Sequence, residues 1–503
     1  MTYPFVVRRW RWAAAPLATV ALGGLAGLGG GAPVAAAGSR AGGSAPVILG
    51  GTPVLSVRRL PAWLEVSAAD QHLEAALGRL AGPGKWGGAD PVGCVVVTQG
   101  SDELFSANAT TPFIPASNMK LLTATAVLDK LGASDRLVTR VLGDRKPQGG
   151  VIYGNLYLVG GGDPLLRTPS YAASLYPPQP LYTSLAQLAL DVRRAGVTEV
   201  TGLVVGDDSH YDTQRTVSTW KPVYSAEGDV GPLSALDVND GFVPKPPPPA
   251  AGSKAGTSES STAGAFAYAA ASDPPATAAQ AFEALLVQDG VEVLHGSTSG
   301  VAPADAPLIT SISSAPLGEE VDAMLTVSDD TAAELFTKEL GYRESKSGTT
   351  DAGTADIRAD LAADGLPVSQ LVNVDGSGLD RDDRATCNLI AATLRRAGAS
   401  GVIAKGLPIA GRTGTLLDRM LGTPAVGRLR AKTGTLDDVV ALSGFVTPTA
   451  ASAPVAQLRL PVVFSIILNG LPVYQAETLA DDIGVILAEY PRVAPLSAIQ
   501  PDG

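Results

Sequence analysis

The tightest constraint on this chain is the stretch PASNMKLLTATAVLDKLG, from Pro115 to Gly132. Leu121, Leu122, Ala124, Ala126, Val127 and Leu128 place apolar side chains on nearly every side of a helix, so the helix must be buried. Pro115 suits its start, where a missing N–H costs little, and Gly132 suits its end. Any fold must therefore wrap other elements around this helix. No period of 20 to 50 residues offers a repeat array as the wrapping.

The polar head of the same helix carries chemistry. A serine hydroxyl is a poor nucleophile until a base takes its proton, and residues three apart on a helix share a face. Ser117 and Lys120 meet that requirement. Ser117 also sits at the positive end of the helix dipole, which favours charge developing on an acyl oxygen. The arrangement suits acyl transfer. Alone the pattern is weak, because a chain of this size holds about one by chance. A second copy, Ser218 to Lys221, precedes Pro222 in a stretch without helical period and reads as a loop.

Around this helix the pattern is mixed α/β. DQHLEAALGRLAG reads as a helix and GCVVVTQGSDELFSAN as two strands joined by a polar turn. After Arg140 come the β-type run VIYGNLYLVGGGDPLL and the helix-to-strand segment LAQLALDVRRAGVTEVTGLVVGDD. VPKPPPPAAGSKAGTSESSTAGA is too rich in Pro, Gly and Ser to pack and reads as a mobile loop or linker. Helical ATAAQAFEALLVQDG and DDTAAELFTKELG follow, then the turn DGSGLDRDD and the helix NLIAATLRRAG. The strand-like LRAKTGTLDDVVALSGFV and LPVVFSIILNG precede a last helix, ETLADDIGVILAEY.

With 503 residues the chain expects two or three domains, and 45% apolar residues can fill them. Its 37 basic and 49 acidic residues give a net charge of -12, which opposes nucleic acid or anionic lipid as the main partner. Arg8, Arg9 and Arg11, a weakly apolar run and the small residues Val34 to Ala37 read as an export signal, with an uncleaved anchor as the alternative. Cys94 and Cys387 are the only cysteines; one bridge between them is open. His72, His210 and His295 match no ligand spacing and give a histidine-based triad little to draw on.

Specificity comes from combination. AKTGTL supplies Lys432, Thr433, Gly434 and Thr435 at the start of a segment that continues into the apolar strand VVALSGFV, as an edge strand beside a cleft should. GRTGTLLDRM, from Arg412, leads into a helix-like segment and ranks as a loop. The order PASNMKLL, SDDTAAE, DGSGL, LPIAGRTGTLLDRMLGTPAVGRLRAKTGTL, LSGFV and FSIILNG resembles the D-alanyl-D-alanine carboxypeptidase family that includes penicillin-binding protein 4, peptidase family S13. GGGDPLL and GPLSALDVNDG extend the likeness, which runs from about residue 70 to 490.

The resemblance implies a serine β-lactamase/penicillin-binding transpeptidase-like α/β domain, an antiparallel sheet flanked by helices, with a β-rich insertion. The implied division is a signal peptide at 1–37, a flexible segment at 38–65, a catalytic domain at 66–140 plus 291–492, and an insertion at 141–290 with its loop at 243–265. It also implies an extracytoplasmic enzyme acting on peptidoglycan peptide stems as carboxypeptidase, with endopeptidase cleavage open, β-lactams as covalent inhibitors and no cofactor or metal. Ser117 would be the nucleophile, Lys120 its base and Ser328 the relay to the leaving group. Lys432, Thr433 and Thr435 would hold the substrate carboxylate, with Gly434 beside them in the substrate-binding strand, and the N–H groups of Ser117 and Thr435 would form the oxyanion hole.

One position departs from the family pattern Ser-x-Asn: Asp330 stands where the asparagine belongs. Ser106 to Asn108 is the only literal match and lies before the nucleophile; Tyr153 to Asn155 lies inside the insertion. An asparagine amide donates to a substrate carbonyl, whereas an ionised aspartate only accepts. Beside Lys120 a carboxylate also favours the ammonium form and makes a poorer base. Lower activity than the family norm is the expectation, with a weak or inactive peptidoglycan-binding homologue as the alternative. A β-lactamase shares the motifs but lacks the long insertion.

Overall fold

The computed structural model describes residues 62–81, 86, 92–175, 178–245, 268–448 and 460–491. The expected export signal, the segment to Pro61 and most of the Pro/Ser/Gly-rich loop lie outside the described residues. Helix α1 (Ala62–Ala81) leads to a hairpin of β1 (Gly93–Gln99) and β2 (Asp102–Ala107). A 3-10 turn over Ala116–Asn118 then runs into α2 (Met119–Leu131), in which every residue from Met119 to Val127 is buried. Gly132 ends it at φ 87°, donating its N–H to Leu128 O.

The chain next builds a second sheet from β3 (Val138–Gly143), β4 (Leu156–Val159), β5 (Val204–Asp207), β6 (Ser297–Ser299) and β7 (Leu308–Ser313). Their order is β6-β5-β4-β3-β7, with β5 parallel to β4 and β6 and the other pairings antiparallel. Helices α3 (Leu185–Arg194) and α4 (Pro274–Gln288) pack Leu188, Val192, Ala278 and Phe282 into its core. This sheet reaches past residue 290, because β6 and β7 bond to β5 and β3. Both strands are only partly buried, so their apolar pattern is weak.

Helices α5 (Leu317–Val327), α6 (Asp330–Ser345), α7 (Thr350–Ala363) and α8 (Cys387–Ala397) return the chain to α2. Leu122 and Val127 of α2 share a core with Met324, Phe336 and Ile390. Strands β8 (Leu429–Leu436), β9 (Val439–Val446) and β10 (Val462–Asn469) complete the first sheet, antiparallel throughout, in the order β8-β9-β10-β1-β2. The pleat's period of two divides β1 between two cores. Val95 and Val97 face α1 and the last helix, α9 (Val473–Glu489), while Cys94 and Val96 join Cys387 and Ala391 of α8.

Cys94 and Cys387 form a disulfide across 293 residues, with Cα atoms 5.9 Å apart. From the stretch that follows β5, Tyr211, Trp220, Tyr224 and Leu233 pack onto Leu335 of α6 and Leu379. No helix among the described residues is long and apolar enough to cross a membrane.

Candidate active site

The 3-10 turn at the head of α2 places Lys120 Nζ 3.2 Å from Ser117 Oγ. Ser117 keeps partial exposure, whereas Lys120 is fully buried. Lys120 Nζ also contacts Asp330 Oδ1 at 2.5 Å and the Ser377 carbonyl oxygen at 2.7 Å. An ionised Asp330 and a carbonyl both accept, so each takes an N–H. In the neutral amine the lone pair is then left facing the serine hydroxyl, the direction a base needs.

Between α5 and α6 the chain turns sharply. Ser328 closes α5 in the left-handed region, φ 63° and ψ 43°, an uncommon conformation for a residue with a Cβ. Asp329 caps α6 by accepting the Ala332 N–H at 2.9 Å. The capping residue thus separates two residues that reach two different lysines. Lys432 Nζ donates to Ser328 Oγ at 2.7 Å and to the Thr433 carbonyl at 2.8 Å, while Asp330 contacts Lys120.

Burial raises the Asp330 carboxyl pKa, and the charges of Lys120 and Lys432 hold that rise back. Burial, and then the positive charge of Lys120, push the Lys432 ammonium well below its usual range. One carboxylate and two lysines therefore share a desolvated pocket whose charge balance differs from that of an amide in the same place.

Register and close packing bring β8 to the serine. Lys432 lies opposite Ser443, and Ser443 opposite Ser465. Asn118 donates to Ser443 Oγ at 2.9 Å and Ser443 to Ser465 Oγ at 3.0 Å, a buried polar ladder that ties the head of α2 to the sheet. A Cβ added to Gly434 would lie 3.0 Å from Pro115 O and 3.1 Å from Ser117 N, so the strand passes close against the serine backbone. Thr435 is exposed. Thr433 is mostly buried, with its hydroxyl 2.7 Å from that of Thr415.

The sequence marks Asp375 to Gly378 as part of a turn. This turn also delivers the Ser377 carbonyl to Lys120. Glu334 Oε1 accepts from Gly376 N at 2.9 Å and Ser377 N at 2.7 Å, and Thr123 Oγ1 donates to Gly376 O at 2.7 Å. Asp375 accepts from Gly378 N at 2.7 Å, and from Asp380 N and Trp220 Nε1 at 2.8 Å each. Gly378 has φ +87°, and a Cβ there would sit 1.9 Å from Ala116 O. The available signal was Glu334 itself, one helical turn after Asp330 and so on its face.

The other motif copies lie elsewhere. Lys221 precedes a helical turn, Pro222–Glu227, and pairs with Asp437. Ser106 Oγ donates to Glu103, and Asn108 Nδ2 to the carbonyls of Trp86 and Gly93. Asn155 contacts Tyr157 and Leu203 within the second sheet's region. The Arg412 copy leads into a 3-10 turn, Gly414–Leu416, which supplies Thr415. His210 contacts Glu339 at 2.9 Å.

Solved structures share this architecture. Penicillin-binding protein 4 of Haemophilus influenzae matches with a TM-score of 0.63 at 20% identity, covering 78% of this chain and 94% of that one. The same protein complexed with a β-lactam matches at 0.60, covering 82% and 98%. The fold is that of the penicillin-binding, transpeptidase-like proteins. Within that class the chain belongs to the D-Ala-D-Ala carboxypeptidase 3 (S13) family of serine-type carboxypeptidases, whose family model matches residues 88–271 and 255–490. A D-alanyl-D-alanine carboxypeptidase of an Actinomadura species is 30% identical over 461 residues, 79% of this chain and 80% of that protein. A carboxypeptidase of Mycobacterium tuberculosis is 31% identical over 356 residues, 67% and 68% of the two chains.

Proposed function

We propose that this protein is an exported D-alanyl-D-alanine carboxypeptidase that removes the terminal D-alanine of peptidoglycan stems through an acyl-enzyme on Ser117. The observation that carries this reading is Lys120 Nζ 3.2 Å from Ser117 Oγ, with two further acceptors fixing its orientation. Lys120, as the amine, takes the serine proton while Oγ attacks the scissile carbonyl carbon. The N–H groups of Ser117 and Thr435 hold the oxyanion. Ser328, contacted by Lys432, relays the proton taken up by Lys120 to the leaving nitrogen, so that Lys120 returns to the amine; the C–N bond breaks and an ester remains for water to hydrolyse. Lys432, Thr433, Gly434 and Thr435 align the substrate, with its carboxylate drawn to Lys432.

Residues 138–313 act as an insertion beside this cleft, since their sheet shares no strand with the first. An extracytoplasmic location is supported by the N-terminal pattern and by a buried disulfide. β-Lactams would acylate the same serine and block turnover. A second reading, a weak homologue that mainly binds peptidoglycan, is favoured by the Asp330 charge 2.5 Å from Lys120.

Intact-mass spectrometry of the protein mixed with benzylpenicillin tests both. Gain of one penicilloyl group, lost in Ser117→Ala, is the expected result. No adduct on folded protein overturns the enzymatic reading and leaves the binding one.

A further inference from the structure

Besides Ser117, two acceptors fix Lys120, and only one of these two is a side chain. The other, the Ser377 carbonyl, belongs to a glycine-flanked turn that has no intrinsic reason to point at the lysine. Something must hold it there. The turn is clamped from two helices: Thr123, one turn beyond Lys120 on α2, donates to Gly376 O, and Glu334 on α6 receives the N–H groups of both Gly376 and Ser377 on one oxygen.

We infer that Glu334 is a positioning residue for the Ser117–Lys120 pair, aiming the Ser377 carbonyl at Lys120 through the Gly376–Ser377 backbone; the inference rests on the reading of Ser117 as the acylated serine. Glu334 is fully buried, where a carboxyl carries a desolvation cost that a leucine of similar size would not. What it provides in return is an acceptor for two buried N–H groups. Removing it leaves both without a partner, and Gly376 gives the turn the backbone freedom to swing toward other acceptors. Lys120 would then keep Asp330 alone. With one fixed acceptor the amine rotates about its last carbon bond, and its lone pair no longer points at Ser117. Asp330 and Glu334 sit four residues apart on one face of α6, so a single helix sets both acceptors.

The test measures acylation by benzylpenicillin over a concentration series, separating the non-covalent binding constant from the acylation rate constant, for the parent, Glu334→Ala and Glu334→Gln. Glutamine keeps an oxygen for the two N–H groups and alanine does not. The expected result is an acylation rate constant lowered about tenfold to a hundredfold in Glu334→Ala, part of the 10²–10⁴ that a positioned base contributes, with binding changed less than about threefold. Glu334→Gln should stay within about threefold of the parent in both constants.

Folded Glu334→Ala protein with a parental rate constant overturns the inference, and so does a Glu334→Gln defect as deep as that of alanine. If Glu334→Ala does not fold, Glu334→Asp, too short to reach both N–H groups, is judged by the same rate criterion. A parent that takes no adduct sinks the acylation reading; crystal structures of the variants then decide the positioning. A Ser377 carbonyl still about 3 Å from Lys120 Nζ in Glu334→Ala overturns it, and a displaced carbonyl upholds it.

Discussion

Asp330→Asn keeps an oxygen in the place that now lies 2.5 Å from Lys120 Nζ and removes its charge. A hydrogen bond to a charged group contributes about 1.5–3 kcal/mol, against about 0.5–1.5 kcal/mol between neutral partners. The difference, about 1–1.5 kcal/mol, is the extra hold on the Lys120 nitrogen that must loosen as it takes the serine proton. A bare Coulomb figure is larger, about 4 kcal/mol at 4 Å with an effective dielectric of 20. Desolvation of the carboxyl already offsets part of that, as its raised pKa records. Asp330→Asn should therefore acylate about tenfold faster at neutral pH, one factor of ten for each 1.4 kcal/mol. The new amide also gives the substrate carbonyl a donor.

Stopped-flow acylation by a chromogenic cephalosporin at neutral pH reads this directly. An Asp330→Asn rate equal to or below the parent's at neutral pH, on folded protein, refutes the reasoning. The carboxylate would then be serving the proton transfer itself.

Replacing Cys94 and Cys387 together by alanine opens a link spanning 293 residues and should lower stability by about 2–5 kcal/mol in urea unfolding; an unchanged midpoint would contradict this. Gly378→Ala must place a Cβ at φ +87° and 1.9 Å from Ala116 O, next to the nucleophile, so it should cost about 3 kcal/mol or more and slow acylation. Parental stability with parental acylation would show that the turn relaxes freely. Burial, and then Asp375, push Glu334 from 4.5 up to about 8, so the folded protein holds a proton that the unfolded chain releases. Its contribution to stability is full below the lower value and lost as pH rises to the upper one; Glu334→Gln should flatten that limb by several kcal/mol in denaturant titrations across this range.

What the sequence made legible was the part written in side-chain periodicity. The apolar wrap of α2, the β1–β2 hairpin and the β8–β9 pair are long, strongly patterned runs, and each lies where its pattern placed it. The spacing of Ser117 and Lys120 carried its own geometry because one helix start holds both. Asp330 was visible as a departure, but its direct contact with Lys120 depends on how α5 and α6 meet at Ser328, a left-handed residue that no periodicity announces. The Ser377 carbonyl was invisible for a simpler reason: every residue has one, and only the fold says which is aimed. Strands β6 and β7 fell outside the expected limits of the insertion because half-exposed strands lack a clean alternation. The cysteine pair could not be settled across so long an interval of chain.

Strands β3 and β7 pair so that Val138, the first residue of one, faces Ser313, the last of the other. Opposed residues of antiparallel strands lie about 5 Å apart, so the long excursion between them leaves and returns through one narrow stem. In genetic terms this is a grafting point: a segment attached there enters and leaves the rest of the chain at one place. The tip is less free, because Tyr211, Trp220, Tyr224 and Leu233 rest on Leu335 and Leu379 beside the cleft. A chimera that swaps the excursion must bring an apolar surface shaped for those two leucines, or it will uncover them.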